Sequence, residues 1–78
     1  MEIKVLENNN ILIHKNDMYY LIEKSLISGT FIENYFVYSN DYFNNLEDFI
    51  NSEEEERYFI NEYTTLEQAI KDIQEKDL

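Results

Sequence analysis

The sequence predicts an α+β fold, in which a small antiparallel β-sheet, formed as an N-terminal meander, packs against one or two helices from the C-terminal half. The first half contains four short runs rich in β-branched and aromatic residues, separated by turn residues. The second half changes to the spacing of amphipathic helices. A chain of 78 residues with 44% hydrophobic content can build one core, so residues 1–78 are expected to form a single compact domain.

The four β-type runs are EIKVL, ILIHK, MYYLIEK and FIENYFVYS, and MYYLIEK is apolar on both of its faces. The segments ENNN, KND and SGT separate them, and their Asn and Gly residues readily adopt the backbone conformations of tight turns. Strands that follow one another through tight turns pair as neighbours. Residues 2–38 are therefore predicted to form an antiparallel meander.

The segment SNDYFNNLEDFIN predicts the first helix, with Ser39 or Asn40 as its N-cap. Its apolar residues recur at helical spacing, at Phe43, Leu46, Phe49 and Ile50. The next segment, RYFINEY, is ambiguous. Its aromatic content favours a fifth strand, whereas Ser52 with Glu55 three residues later allows a second helix.

The segment TTLEQAIKDIQEK predicts the clearest helix, over residues 65–76, since Thr65 and Gln68 have the spacing of a capping box. One apolar stripe follows its length, formed by Leu66, Ala69, Ile70 and Ile73. Replacing Ile70 with alanine is expected to cost about 2–5 kcal/mol of stability if the stripe is buried. We expect the helices to cover one face of the sheet.

Charge is the unusual feature of the composition, because the chain has 17 acidic residues and only 6 basic ones, which gives a net charge of −11. The abundance of Asn, Ile and Tyr is typical of an AT-rich genome, which would also favour lysine, so base composition does not explain the acidity. The charge is concentrated in residues 31–64, where Arg57 is the single basic residue. The nine acidic residues there are Glu33, Asp41, Glu47, Asp48, Glu53, Glu54, Glu55, Glu56 and Glu62.

The sequence offers little for catalysis. Its single histidine, His14, has no partner suggested by the pattern, and the chain has no cysteine and only one glycine. Adjacent carboxylates diverge, so no metal site or cofactor is expected. The net charge would repel nucleic acid, so direct binding to it is not expected. No signal peptide and no apolar stretch of membrane-spanning length are present, which predicts a cytoplasmic protein without membrane contact.

The acidic segment predicts a partner-binding surface for a basic protein. Carboxylates spaced about 5–7 Å apart on a helix or strand are separated like the phosphates of a nucleic-acid strand. We expect the nine acidic residues to form this surface, with Tyr38, Tyr42 and Tyr58 as aromatic anchors. The alternative is a solvated acidic run that only keeps the protein soluble.

In size, acidity and lack of cysteine, with FNNLEDFINSEEEERYF as its acidic segment, the chain resembles the nucleic-acid-mimic inhibitors of phages and mobile elements, such as anti-CRISPR and anti-restriction proteins. The resemblance lies in composition and charge layout. It implies a non-enzymatic inhibitor, a monomer or homodimer, that binds the basic groove of a host defence effector in a bacterial cytoplasm. The alternatives are an immunity or antitoxin protein that neutralises a basic toxin nuclease, and a general interaction module with a solubilising face.

Overall fold

The computed structural model describes residues 1–76, and it confirms the α+β fold. Five strands form one antiparallel sheet in the order β1-β2-β3-β4-β5, and two helices and a 3₁₀ turn follow the fourth strand. Among residues 1–76, no helix is long and apolar enough to cross a membrane. The elements are β1 Glu2–Val5, β2 Ile11–Lys15, β3 Met18–Leu26, β4 Glu33–Ser39, α1 Leu46–Ile50, the 3₁₀ turn Glu54–Glu56, β5 Tyr58–Tyr63 and α2 Leu66–Glu75.

The three predicted turns lie where the sequence places them, and each contains a residue with left-handed backbone. Asn9 has φ 70°, Asn16 has φ 56° and Gly29 has φ 78°. Asparagine and glycine adopt this conformation at lower cost than other residues. The meander of residues 2–38 therefore follows from local sequence, and the pairings of β1 to β4 are all antiparallel.

The ambiguous segment RYFINEY forms a strand, as favoured. Strand β5 pairs antiparallel with β4, and a register shift between Val37 and Tyr38 interrupts the pairing. A β-bulge of this kind bends an edge strand and disturbs its row of free backbone groups.

The helices lie on opposite faces of the sheet, so the prediction that they cover one face is wrong. Helix α2 contributes Ile73 to a core with Ile13 and Val37, and we call this side of the sheet the α2 face. Helix α1 contributes Phe49 to a second core with Leu12, and we call this other side the α1 face. Since successive residues of a strand point to opposite sides, neighbours such as Leu12 and Ile13 serve the two cores separately.

Helix α1 is shorter than predicted, because it begins at Leu46 and not near Ser39. The side chain of Asn45 accepts a hydrogen bond from the Asp48 N–H at 2.9 Å and caps the helix. Ser39 stays in β4, while Phe43 lies in the loop and contacts Phe49 with ring centroids 5.5 Å apart. Phe43 therefore packs against α1 from the preceding loop, although its spacing in the sequence is that of a helical residue.

Helix α2 agrees with its prediction at both ends. The Thr65 side chain accepts a hydrogen bond from the Gln68 N–H at 3.1 Å, which starts the helix. Ile73 is fully buried, but Ile70 is only partly covered. Truncating Ile70 should therefore cost an amount near the lower end of the expected range of about 2–5 kcal/mol.

A network around Asp72 fixes α2 to the sheet. The carboxylate accepts hydrogen bonds from Gln68 Nε2 at 3.0 Å and from Lys76 Nζ at 3.2 Å, and Tyr63 also donates to it. Desolvation alone would raise the pKa of Asp72, but these bonds outweigh it and lower the pKa below its ordinary value of 3.8. At the C-terminal end of α2, Lys15 Nζ donates to the carbonyl oxygen of Ile73 at 2.8 Å.

Replacing Asp72 with asparagine is expected to make the protein less stable at neutral pH but not in acid. Because the folded-state pKa is lowered, the carboxylate stabilises the fold above its ordinary value of 3.8, and this contribution is lost as pH falls through the folded-state pKa. Urea unfolding at neutral pH and at a series of acidic pH values well below 3.8 measures the difference. The exposed Glu75→Gln is the control, and a deficit of Asp72→Asn that is equal at all of these pH values would contradict the assignment.

Candidate partner-binding surface

Seven of the nine predicted acidic residues lie on the α1 face or on the elements that cover it. Helix α1 packs on this face through Phe49, and the 3₁₀ turn follows it before β5 begins. In the sheet, Glu62 pairs with Phe36, which is partly buried and packs against the α1-face core. All seven are exposed, and we call them the acidic surface: Glu47, Asp48, Glu53, Glu54, Glu55, Glu56 and Glu62.

The other two predicted acidic residues lie elsewhere. Glu33 alternates with Asn34 along β4 and so lies on the α2 face, where its carboxylate is 3.4 Å from Lys24 Nζ. Asp41 lies beyond the opposite end of β4, and its carboxylate accepts a hydrogen bond from the Ser39 hydroxyl at 2.9 Å. The structure therefore does not join Glu33 to the acidic surface, and it places Asp41 in the loop that leads to α1.

Arg57, the only arginine, points into the protein and adds no positive charge to the acidic surface. Its side chain is 4% exposed, and its guanidinium is 3.1 Å from the Glu23 carboxylate. The Nε atom donates to the Ser52 hydroxyl at 2.9 Å, and the guanidinium carbon lies 5.2 Å from the Tyr38 ring centroid. Glu23 is outside the acidic segment, so this ion pair involves none of the seven carboxylates of the acidic surface.

The four consecutive glutamates do not form a straight row. A 3₁₀ helix has three residues per turn, so successive side chains in Glu54–Glu56 diverge by about 120°. The Glu56 carboxylate turns back and accepts a hydrogen bond from the Glu53 N–H at 2.9 Å. The turn therefore presents a fan of carboxylates, in which the Glu56 side chain is bonded to the Glu53 backbone.

Of the predicted tyrosine anchors, only Tyr42 and Tyr58 are exposed. Their rings meet edge to face with centroids 5.5 Å apart. Tyr38 is buried beneath Arg57, so its ring is no surface anchor. Burial and the carboxylates of Glu54 and Glu23 raise the pKa of Tyr38 to about 12, although Arg57 acts in the opposite direction. Its hydroxyl therefore stays protonated at neutral pH.

Phe59 is an exposed aromatic residue on the α1 face that the sequence analysis missed. The residue is 51% exposed, and its ring centroid lies 5.9 Å from that of Tyr38 and 6.3 Å from that of Phe36. A strand of alternating pattern would bury one of the neighbours Tyr58 and Phe59. Both are exposed because β5 is an edge strand, a position that only the pairing order reveals.

A second exposed apolar cluster lies at the β3–β4 turn, where Phe31 is 99% exposed with Leu26, Ile27 and Ile32 close to it in sequence. This turn precedes β4, whereas Asp41 and Tyr42 follow it. The 3₁₀ turn leads into β5 beside Ser39, at that far end of β4. The apolar cluster and the carboxylate fan are therefore at opposite ends of the strand.

His14 lies half-buried on β2, with its ring stacked on Tyr19 at a centroid distance of 4.2 Å. In β1, Glu2 is its cross-strand partner. Among residues 1–76, no group of three or more His, Cys, Asp or Glu side chains is placed to hold a metal ion.

Comparison of the chain with protein-family models, with curated proteins and with solved structures found no match.

Proposed function

We propose that this protein is a non-enzymatic inhibitor that binds, through its acidic surface, to the basic nucleic-acid-binding groove of a defence nuclease or a similar complex. It occupies the groove as a mimic of the phosphate backbone, in the manner of the small acidic inhibitors of phages. The bound partner is a Lys/Arg-rich protein surface, and no chemical step takes place.

The observation that carries this proposal is that Arg57 is buried and paired with Glu23, and so is not exposed among the carboxylates. A solubilising surface gains nothing from hiding its only nearby cation, whereas a phosphate mimic needs uninterrupted negative charge. Arg57 is held by Glu23 and Ser52, and the same contacts attach the acidic 3₁₀ turn to the sheet. The buried cation thus supports the turn from beneath and leaves its carboxylates facing solvent.

An exposed aromatic ring on the same face as the acidic surface, that of Phe59, adds a source of affinity that charge alone lacks. Opposite charges mainly accelerate association and make it sensitive to salt, while buried aromatic anchors slow dissociation. Phe59 lies on the α1 face with the acidic surface, and the exposed Tyr42–Tyr58 pair lies near the 3₁₀ turn in the sequence and beside Ser39 in the fold. A basic groove with an apolar rim fits this arrangement.

The test is competition between this protein and nucleic acid for a basic effector. A guide-loaded CRISPR effector and a restriction endonuclease are titrated with the protein, and cleavage of DNA is measured together with binding kinetics at low and high salt. We expect inhibition to saturate at a fixed stoichiometry. Changing Glu53–Glu56 to glutamine should slow association by about tenfold and flatten its salt dependence, because four charges are lost while the side chains keep their shape.

The matched control removes four charges elsewhere: Asp17→Asn with Glu33→Gln, Glu67→Gln and Glu75→Gln, all exposed and outside the acidic surface. If both quadruple variants weaken binding equally, only net charge matters and the acidic surface is not a contact. A chain that instead protects cells from one toxin nuclease and leaves both effectors active would identify an immunity protein. Inhibition that continues to rise with time at substoichiometric amounts would indicate catalysis.

A further inference from the structure

Strand β1 is an open edge of the sheet, because among residues 1–76 it pairs only with β2. The Leu6 N–H donates to the Asn10 carbonyl at 2.8 Å. Bonded and non-bonded pairs alternate along an antiparallel ladder, so Lys4 also bonds towards β2. The N–H and C=O groups of Ile3 and Val5 consequently point outwards, to the open edge.

The side chains of β1 divide by face. Ile3 and Val5 pair with Ile13 and Ile11, which belong to or pack on the α2-face core, yet both are more than half exposed. Glu2 and Lys4 alternate with them and lie on the α1 face. The edge therefore carries an apolar row on one face and one pair of opposite charges on the other.

We propose that β1 pairs with β1 of a second copy of this chain, antiparallel and centred on Ile3, to join the two sheets into one. A two-fold axis perpendicular to the sheet places Ile3 opposite its own copy on the α2 face. On the α1 face the same register places Glu2 opposite the second copy's Lys4, and Lys4 opposite the second copy's Glu2. Each cross-strand contact is thus favourable, and the outward backbone groups of Ile3 bond to each other.

The other edge of the sheet is unsuited to the same pairing. Strand β5 is interrupted by its register shift, and Glu62 follows it on the α1 face. Two copies paired through β5 would bring acidic residues of one copy close to acidic residues of the other, and these would repel each other. Natural sheets block edges by such bulges and charges, whereas in β1 the edge lysine has an acidic partner two residues away in its own sequence.

Net charge opposes this association, since each copy carries −11 and the acidic surfaces of both would lie on the same side of the joined sheet. Self-association should therefore strengthen with moderate salt, opposite to the binding of a basic target. At about 0.15 M salt the Debye length is about 8 Å, so repulsion at longer range is screened while the contacts between paired strands persist.

The test is sedimentation velocity of the full chain at about 0.15 M salt across a concentration series into the high micromolar range. We expect a concentration-dependent dimer. Glu2→Lys and Lys4→Glu should each weaken it by about tenfold or more, because two attractive contacts become repulsive. The double variant Glu2→Lys/Lys4→Glu should restore it, and a mixture of the two single variants should form a heterodimer, since each lysine of one then faces a glutamate of the other.

Glu2→Lys separates the proposed register from a general charge effect. It lowers the net negative charge from −11 to −9, so charge alone would strengthen self-association, whereas the register predicts weakening. A chain that stays monomeric throughout the series, or a Glu2→Lys variant that dimerises as tightly as the original, would overturn the proposal. Both residues are exposed, and circular dichroism verifies that each variant keeps its fold.

Discussion

Replacing Arg57 with methionine is expected to lower the free energy of unfolding by about 2–4 kcal/mol, the cost of leaving Glu23 without its cation. Breaking a fully buried ion pair costs about 3–5 kcal/mol, but the Glu23 side chain is 26% exposed and water relieves part of the penalty. The Ser52 hydroxyl also loses its hydrogen bond from Arg57. Urea unfolding of the variant and the original chain measures the loss.

A double-mutant cycle with Glu23→Gln isolates the coupling between the two charges. Glu23→Gln alone leaves the Arg57 guanidinium without its countercharge, although glutamine can still accept the hydrogen bond from Asn10. The double variant removes both charges, so its loss should be smaller than the sum of the single losses by about 0.5–3 kcal/mol. Strictly additive losses would mean that the two side chains stabilise the fold independently.

Arg57→Met also separates the effect of geometry from that of net charge in binding to the proposed basic target. Arg57→Met removes one positive charge, so the net charge changes from −11 to −12, and steering by charge alone would speed association. The 3₁₀ turn, however, loses the contacts that attach it to the sheet. We therefore expect weaker binding to the basic effector, and stronger binding would show that the position of Glu54 and its neighbours is unimportant.

The sheet and α2 could be predicted because their signals are local. Asparagine and glycine mark the three turns, and Thr65 with the apolar stripe marks α2. The arrangement of helices on two faces had one signal in the sequence, namely that MYYLIEK is apolar on both sides. Tyr20 and Ile22 serve the α2 face and Leu21 the α1 face, so a sheet covered on one side would have left Leu21 in water.

The acidic surface could be predicted only in part, because membership depends on strand parity and on long-range contacts. Glu33 falls on the α2 face, since a shift of one residue along a strand reverses the side to which a side chain points. Arg57 is buried by Glu23, 34 positions earlier in the chain, and no local pattern encodes that contact. From the sequence, an arginine that follows four glutamates is therefore predicted to lie on the surface. Only the folded sheet places Glu23 of β3 next to it.

Replacing Phe49 with alanine is expected to remove about 3–5 kcal/mol of stability, the largest single effect of truncating one side chain in this core. The ring is fully buried against Leu12, Leu21 and Tyr38, and it anchors a helix of only five residues that cannot persist in isolation. A domain of this length has a total stability of about 4–12 kcal/mol, so the variant should lose about a quarter or more of its free energy of unfolding.

Phe31→Ala is the matched control, since it deletes the same ring from a position that is 99% exposed. Its stability should lie within about 0.5 kcal/mol of the original, because water already surrounds the side chain.

Hydrogen exchange then shows which parts of the fold are destabilised by Phe49→Ala. We expect the amides of β2 and β3 to lose protection together with those of α1, because the same ring covers both strands on the α1 face. Loss confined to residues 46–50 would mean that the core on the α2 face holds the sheet by itself.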